Sequence, residues 1–546
     1  MLNSARLERR VFALLCALAA AIVAALPLVP GHDVPQHLAY VRLLTIWRLD
    51  PSSLPADYAA PDMSSGYATA YALLVRLSTF VPPEIALRGA VAAYVVLLAL
   101  AVRALVQVTW RVEEGAIGPT SVLGPLVAFN PVLVMGLVAY LFALPALVGA
   151  FAATVAHARS GAPRTLVVVA LLAAVTAALH SVAAAALLFT CGAMFAARRD
   201  RRSGLALGMA AAGALLGSHL AGSSTKLPPG LGGMLVEYVR RYGVVDGTIG
   251  TFRITFTPWL EKIGVVCAAI VGPFPIAYKL LVAALLVVVV VVDRRARARD
   301  TASCFAVPGV RVAVMSLGAL ALVAPAALQI PDDLSLIDFR LITTATCLGV
   351  ALVPPGLFQA RRVWLLAAAV AVLLLVWRRQ LGGAADEQMQ TVRLVDRLGK
   401  DDVVLSLSMH DESAYIDEGN EVLHYAAVYH TARTGGVTSM FWGKFSPRLP
   451  VGYRPGHGPP APGDWTPWDV TVEQMTHYTH VVVRWPDARD DAHQSALAQR
   501  LAMLERDGML DPIATDGACE LFKVASVVRP RAASERRSPA SIAIRP

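Results

Sequence analysis

Residues 11–30 run for twenty positions without a charged side chain. At a helical rise of about 1.5 Å per residue that is long enough to cross a hydrocarbon core. The pattern recurs along the first 380 residues, with apolar windows near 85–107, 119–137, 139–157, 164–180, 181–197, 204–221, 262–292, 311–330, 341–359 and 363–377. The chain is 56% hydrophobic and only 16% charged, a balance outside the range of ordinary soluble domains. It therefore reads as a polytopic α-helical membrane protein with about eleven transmembrane helices. Pro273 and Pro275 supply a cause for a kink in the long 262–292 window.

Basic residues flanking membrane spans are retained in the cytoplasm, and that rule orients the chain. Arg6, Arg9 and Arg10, then Arg111, Arg159 with Arg164, Arg198–Arg202, Arg294–Arg299 and Arg361 with Arg362 all fall on one side of an eleven-span arrangement. Arg378 and Arg379 after the last span are the exception. The first span has no small-residue cleavage site and reads as a retained anchor. Residues 31–84, residues 222–261 and everything after about 380 then project to the outer side. The expected location is a bacterial inner membrane, multi-pass, with the C-terminal domain extracytoplasmic.

Charge is distributed by region. Residues 1–385 hold 31 Lys/Arg against 17 Asp/Glu, residues 386–527 hold 12 against 21, and residues 528–546 hold 5 against 1. The basic excess is topological and the large polar segment is acidic, so no nucleic-acid partner is indicated. Residues 386–527 read as a small α/β domain, with helical patterns at 386–398, 421–431 and 488–506 and strand patterns at 403–407 and 480–485. Residues 528–546 have the composition of a disordered tail. No phosphate-binding Gly-rich loop, dinucleotide fingerprint, His-Glu-x-x-His or Gly-x-Ser-x-Gly is present. With a single cysteine in 386–527, no disulfide framework or thiolate zinc site is available there.

Ionisable groups at a membrane edge are functional candidates. The segment His32-Asp33-Val34-Pro35-Gln36-His37 places a carboxylate and two imidazoles immediately after the first span. His180 falls between the fifth and sixth spans and His219 at the end of the seventh, on the same outer side; Asp338 and Arg340 precede the tenth. Each has a plain structural alternative. Asp33 with Gln36 three residues on, and Pro35 in the first turn, fits a capping box that starts a helix over 35–48. His37 lies one turn beyond Asp33 on the same face, but two ligands from one turn do not complete a metal site. His180 and His219 fit interfacial caps, and Arg340 fits an ion pair with a neighbouring aspartate.

The placement of Asp33 after the first span, the amphipathic loop that follows, the many spans and the C-terminal outer domain resemble the GT-C-like polytopic membrane proteins, the fold of polyprenyl-phosphate-sugar-dependent glycosyltransferases. The resemblance implies that Asp33 is the catalytic base or a metal ligand, and, by position, that Arg340 holds the carrier phosphate. His37, His180, His219 and Asp338 are further candidates for substrate contact. A divalent metal is a candidate cofactor, with Asp33 and His37 as its ligands if one is held. Expected partners are the bilayer, a polyprenyl-phosphate-linked sugar, and a glycan or lipid acceptor. The rival reading is a non-catalytic scaffold or transport component of envelope polysaccharide assembly.

Overall fold

A computed structural model of the chain describes residues 2–61, 68–110, 119–221, 253–255, 262–263, 266–268, 272, 308–324, 327–330, 332–334, 336–353, 363–416, 421–442, 450–454, 457–460, 466–486 and 492–525. Ten helices precede residue 222 among these: α1 Leu2–Ala24, α2 Val34–Leu49, α3 Ala68–Ser78, α4 Pro83–Thr109, α5 Gly124–Val127, α6 Pro131–Met135, α7 Val138–Ser160, α8 Pro163–Leu179, α9 Ser181–Arg198 and α10 Arg201–Leu220. Then follow α11 Pro308–Val323, α12 Ile337–Gly349 and α13 Val363–Val395. Five of them, α4, α7, α9, α10 and α13, are long and apolar enough to cross a membrane, and α8 and α11 are shorter apolar helices. The protein is a multi-pass helical membrane protein. Most of the 222–261 loop, most of the 262–292 window and the 528–546 tail lie outside the described residues.

Helix pairing follows from small side chains. Gly213 and Gly217 of α10, one turn apart, sit so close to α8 that a Cβ would lie 2.2 Å from the Ala170 carbonyl oxygen and 2.0 Å from that of Ala174. Without water to drive association, such close backbone approach is how helices in lipid gain dispersion contacts. The apolar window at 119–137 does not form the expected continuous span. Asn130 accepts a hydrogen bond from the Leu133 N–H at 3.2 Å and caps α6, whose first residue is Pro131; Gly136, at φ +73°, ends it in the left-handed region. A side-chain acceptor, a proline at the first position and a glycine just past the end outweigh uniform hydropathy. The window expected at 311–330 is likewise divided: α11 stops at Val323 and residues 327–330 form a strand. That strand, β2 Ala327–Ile330, lies between β1 Arg253–Thr255 and β3 Asp332–Leu334 in an antiparallel sheet. It ties the loop after α10 to the loop that leads into α12.

The helix α13 carries the chain from the bundle into the C-terminal region without interruption, so the boundary expected at residue 386 falls inside a continuous helix. Beyond it, β4 Val403–Ser408, β5 Val437–Thr438, β6 His480–Arg484, β7 Leu510–Asp516 and β8 Cys519–Val524 form one sheet in the order β5-β4-β6-β8-β7, parallel through the first three strands and antiparallel thereafter. Alternation along the strands sends side chains to two faces. Leu405, Leu407, Val481, Val483 and Phe522 pack with Leu497, Leu501 and Leu504 of a helix over Ala492–Arg506. Val404, Val482 and Leu521 on the other face join the end of α13 in the core that extends through the bundle. The helix expected over 421–431 is shorter, a 3-10 turn at Ala426–Val428 followed by α14 Tyr429–Thr434.

Candidate functional site

Asp33 is held by backbone contacts on both sides. The N–H groups of His32 and Asp33 donate to the carbonyls of Val134 and Met135 at 3.1 and 3.0 Å, which satisfies the open C-terminal end of α6. This seam requires two glycines. A Cβ on Gly136 would lie 2.9 Å from the Val34 nitrogen, and one on Gly31 would lie 3.1 Å from the Val134 oxygen.

The expected capping box is absent. Asp33 occupies the N-cap position of α2 but its side chain makes no capping hydrogen bond. Gln36 is engaged elsewhere: its amide donates to the Met440 carbonyl at 2.6 Å and accepts from the Trp442 N–H at 3.0 Å. Both bonds are to backbone groups that need partners when buried, so tertiary contact outcompetes the local cap. The Asp33 carboxyl, 7% exposed, therefore contributes no cap to α2.

Its surroundings are aromatic and imidazole-rich. His32 Nε2 lies 3.6 Å from Asp33 Oδ1, and His32 Nδ1 is 2.8 Å from the Glu421 carbonyl oxygen. The His32 ring stacks on His424 at 5.9 Å and meets Tyr425 edge-on at 4.9 Å. Burial pushes the Asp33 carboxyl up to about 8, against the opposing charge of Arg340. Burial pushes His32 down to about 4; the Glu421 carbonyl opposes that shift, His424 adds to it, and Asp411 opposes it. Near neutral pH the His32–Asp33 contact is therefore an uncharged imidazole beside a carboxylic acid, although its distance is that of an ion pair.

Arg340, in the first turn of α12, is 6% exposed. Its guanidinium carbon is 6.0 Å from the Tyr140 ring centroid, and the Tyr140 hydroxyl donates to the Arg340 carbonyl at 2.7 Å and contacts the Thr344 hydroxyl. His180 meets the same Tyr140 ring edge-on at 5.1 Å, and its Nδ1 accepts from the Val182 N–H at 3.2 Å, capping α9. Arg340 is an electrostatic neighbour of both Asp33 and His180. Asp338 is fully buried and accepts from the Phe339 N–H at 2.9 Å. The first loop, α7, the α8–α9 junction and α12 thus bring Asp33, His32, Tyr140, His180 and Arg340 to one end of the bundle. His37 Nδ1 lies 2.5 Å from the Tyr71 hydroxyl, and its ring is edge-on to Trp442 at 6.1 Å. His219 is exposed at the last turn of α10.

Among the described residues no group of three or more His, Cys, Asp or Glu side chains converges as metal ligands do. Asp33 and His37 alone supply two donors, too few to complete a metal site. Tyr140 and Gln36 are the residues that sequence reasoning missed. Tyr140 looks like one more aromatic in an apolar span, and Gln36 like a cap.

The C-terminal region is fastened over this end. Tyr58 stacks on Tyr453 at 5.0 Å and donates to the Gly436 carbonyl at 2.9 Å. Arg433 pairs with Glu84 at 2.9 Å, and Gln388 donates to the Val422 carbonyl.

No family model matches the sequence, and no curated protein matches it. Solved structures do. ArnT from Cupriavidus metallidurans bound to undecaprenyl phosphate superposes with a TM-score of 0.54 at 10% identity, covering 95% of this chain and 98% of that one. The fold is GT-C-like. The apo state of the same ArnT gives a TM-score of 0.51 at 9% identity over the same shares. The arabinofuranosyltransferase AftD from Mycobacteria matches at 13% identity and a TM-score of 0.42, over 95% of this chain and 40% of that one. The GT-C-like architecture includes the C-terminal region, since the superposition with ArnT runs through nearly all of both chains.

Proposed function

We propose that the chain is a membrane glycosyltransferase that moves a sugar from a polyprenyl-phosphate carrier to an envelope acceptor at the extracytoplasmic face of a bacterial inner membrane. The observation that carries this reading is the state of Asp33, a buried carboxyl with no capping bond, held in place by its backbone within electrostatic reach of a buried Arg340. A carboxyl whose proton affinity lies near neutral pH is suited to general-base work. The ArnT structure with undecaprenyl phosphate supports the choice of carrier.

In the reaction, the acceptor hydroxyl oxygen attacks the anomeric carbon while the bond from that carbon to the phosphate oxygen breaks. Asp33 takes the hydroxyl proton. The departing polyprenyl phosphate gains negative charge, which Arg340 stabilises through a planar fork of donors matched to phosphate oxygens. His32, neutral at this pH, borders Asp33 without competing for the proton. Tyr140 accepts no charge; it supports Arg340 through its ring face and its bond to the Arg340 carbonyl.

The test is transfer from a polyprenyl-phosphate-linked sugar by purified protein in vesicles. Turnover that depends on Asp33 supports the proposal. Absence of turnover with every carrier-linked sugar, from protein whose deletion still alters the envelope glycan, would favour the scaffold reading instead.

A further inference from the structure

The opposite end of the bundle carries a feature that sugar transfer does not use. The helix α7 begins beside the Asp33 seam and ends, 23 residues or about 34 Å later, at Ser160. Its turn into α8 lies beside the turn from α9 into α10. Arg202 spans the two: its Nη1 donates to the Arg159 carbonyl at 3.3 Å, and its guanidinium covers Gly161, where a Cβ would approach its Nε to 3.0 Å. Arg198 donates to the Ala158 carbonyl at 3.4 Å. Arg159, Arg164, Arg199, Arg201 and Arg202 are all exposed on these two adjoining turns.

One acidic residue, Asp200, lies within the two turns, and it is already committed. It pairs with Arg198 at 2.5 Å and accepts from the Ser203 N–H at 2.7 Å to cap α10. Arg199 adopts the left-handed conformation at φ 52°, which an arginine rarely takes. The helices α8 and α10 both begin here, and their amino-terminal dipoles add to the positive potential. Five exposed guanidinium groups without a free counter-charge in the two turns make a surface for a polyanion at the lipid boundary.

We propose that the paired α7–α8 and α9–α10 turns bind the phosphate of an anionic headgroup at the membrane face opposite Asp33. Clustered cationic side chains attract anionic headgroups by charge, and the positive-inside rule assigns this end to the leaflet facing the cytoplasm. The source of the phosphate is a phospholipid or a free phosphate ion.

Native mass spectrometry of the full chain, released from micelles doped with phosphatidylglycerol or phosphatidylcholine, separates the cases, with inorganic phosphate as a third arm. Each arginine near an anionic surface contributes about fivefold in binding, so R199Q/R201Q/R202Q is expected to weaken phosphatidylglycerol retention by on the order of 100-fold. R199K/R201K/R202K, which keeps the charge, retains most of it. Retention of phosphatidylglycerol over phosphatidylcholine without competition from inorganic phosphate supports a lipid source, and saturable inorganic phosphate binding that the Gln variant loses supports a free ion. Equal retention of both lipids, or equal phosphatidylglycerol retention by the wild type and a Gln variant of unchanged melting temperature, overturns the proposal. A Gln variant with lowered melting temperature is judged by the Lys variant, whose failure to retain phosphatidylglycerol equally overturns it.

Discussion

Replacing Asp33 with Asn separates structure from chemistry. The side chain makes no capping bond, so a cap is not lost. The carboxyl is pushed up to about 8 by burial, so near pH 7 it is mostly protonated and an amide of the same shape replaces a neutral group. A folded-state value raised above the unfolded 3.8 means that the native protein binds the extra proton between the two values. The contribution of this residue to stability is therefore greatest below about pH 4 and falls as pH rises from about 4 to about 8, by up to about 1.4 kcal/mol per pH unit. The Asn variant lacks that slope, and its melting temperature in detergent is expected to equal or exceed that of the wild type, with the margin widening toward pH 8. Its transfer rate is expected to fall roughly 10²- to 10⁴-fold, the loss of a general base. The wild-type rate should climb about fivefold between pH 7 and pH 8 as the base form accumulates. An Asn variant that melts like the wild type at every pH and transfers sugar at the wild-type rate would refute both the burial argument and the catalytic role.

Three further outcomes follow from the geometry. His32 is pushed down to about 4, so its contribution to stability is lost as pH falls from about 6.5 through 4, offsetting over that range the opposite slope of Asp33; His32→Gln should leave the Asp33 slope uncompensated, so that melting temperature rises as pH falls from about 6.5 to 4 more than it does in the wild type. Gly136→Ala places a Cβ 2.9 Å from the Val34 nitrogen on a residue at φ +73°, at a cost of at least about 1–2 kcal/mol, read as a lowered melting temperature together with reduced transfer as the Asp33 seam shifts; wild-type melting would show that the seam is not tight. Gly217→Val meets the Ala174 carbonyl at 2.0 Å and should destabilise by about 1–3 kcal/mol without changing the pH dependence of the protein that remains folded; an unchanged melting temperature would mean that α8 and α10 do not pack this closely.

Local signals in the chain were legible where one element's own residues decide it. Pro35 and the apolar spacing that follows mark α2 closely, His180 marks the α8–α9 break, and the short Val-rich runs mark β4 and β6. The break at Asn130-Pro131 carried its own signal, a cap followed by a proline, but a hydropathy window averages it away. What could not be read locally are contacts between distant segments. Gln36 meets Met440 and Trp442 across some four hundred positions, and nothing near Gln36 distinguishes that partner from the Asp33 cap. The same holds for the end of α13: its residues read as the start of a separate domain, yet they pack into the bundle's core because the apolar face of β4, β6 and β8 is turned toward them. At the site, Asp33 and Arg340 were placed at one membrane edge by topology alone, whereas Tyr140, which supports Arg340, has no sequence feature to set it apart from neighbouring apolar residues.

Saturable binding of undecaprenyl phosphate to the purified protein decides whether Arg340 receives a polyprenyl phosphate beside Asp33. The wild type should bind saturably, Arg340→Gln should be weakened by at least about tenfold, as expected for loss of a charge-assisted pair worth roughly 1.5–3 kcal/mol, and Asp33→Asn should bind like the wild type. No saturable binding, or equal binding by wild type and Arg340→Gln, would contradict that role for Arg340.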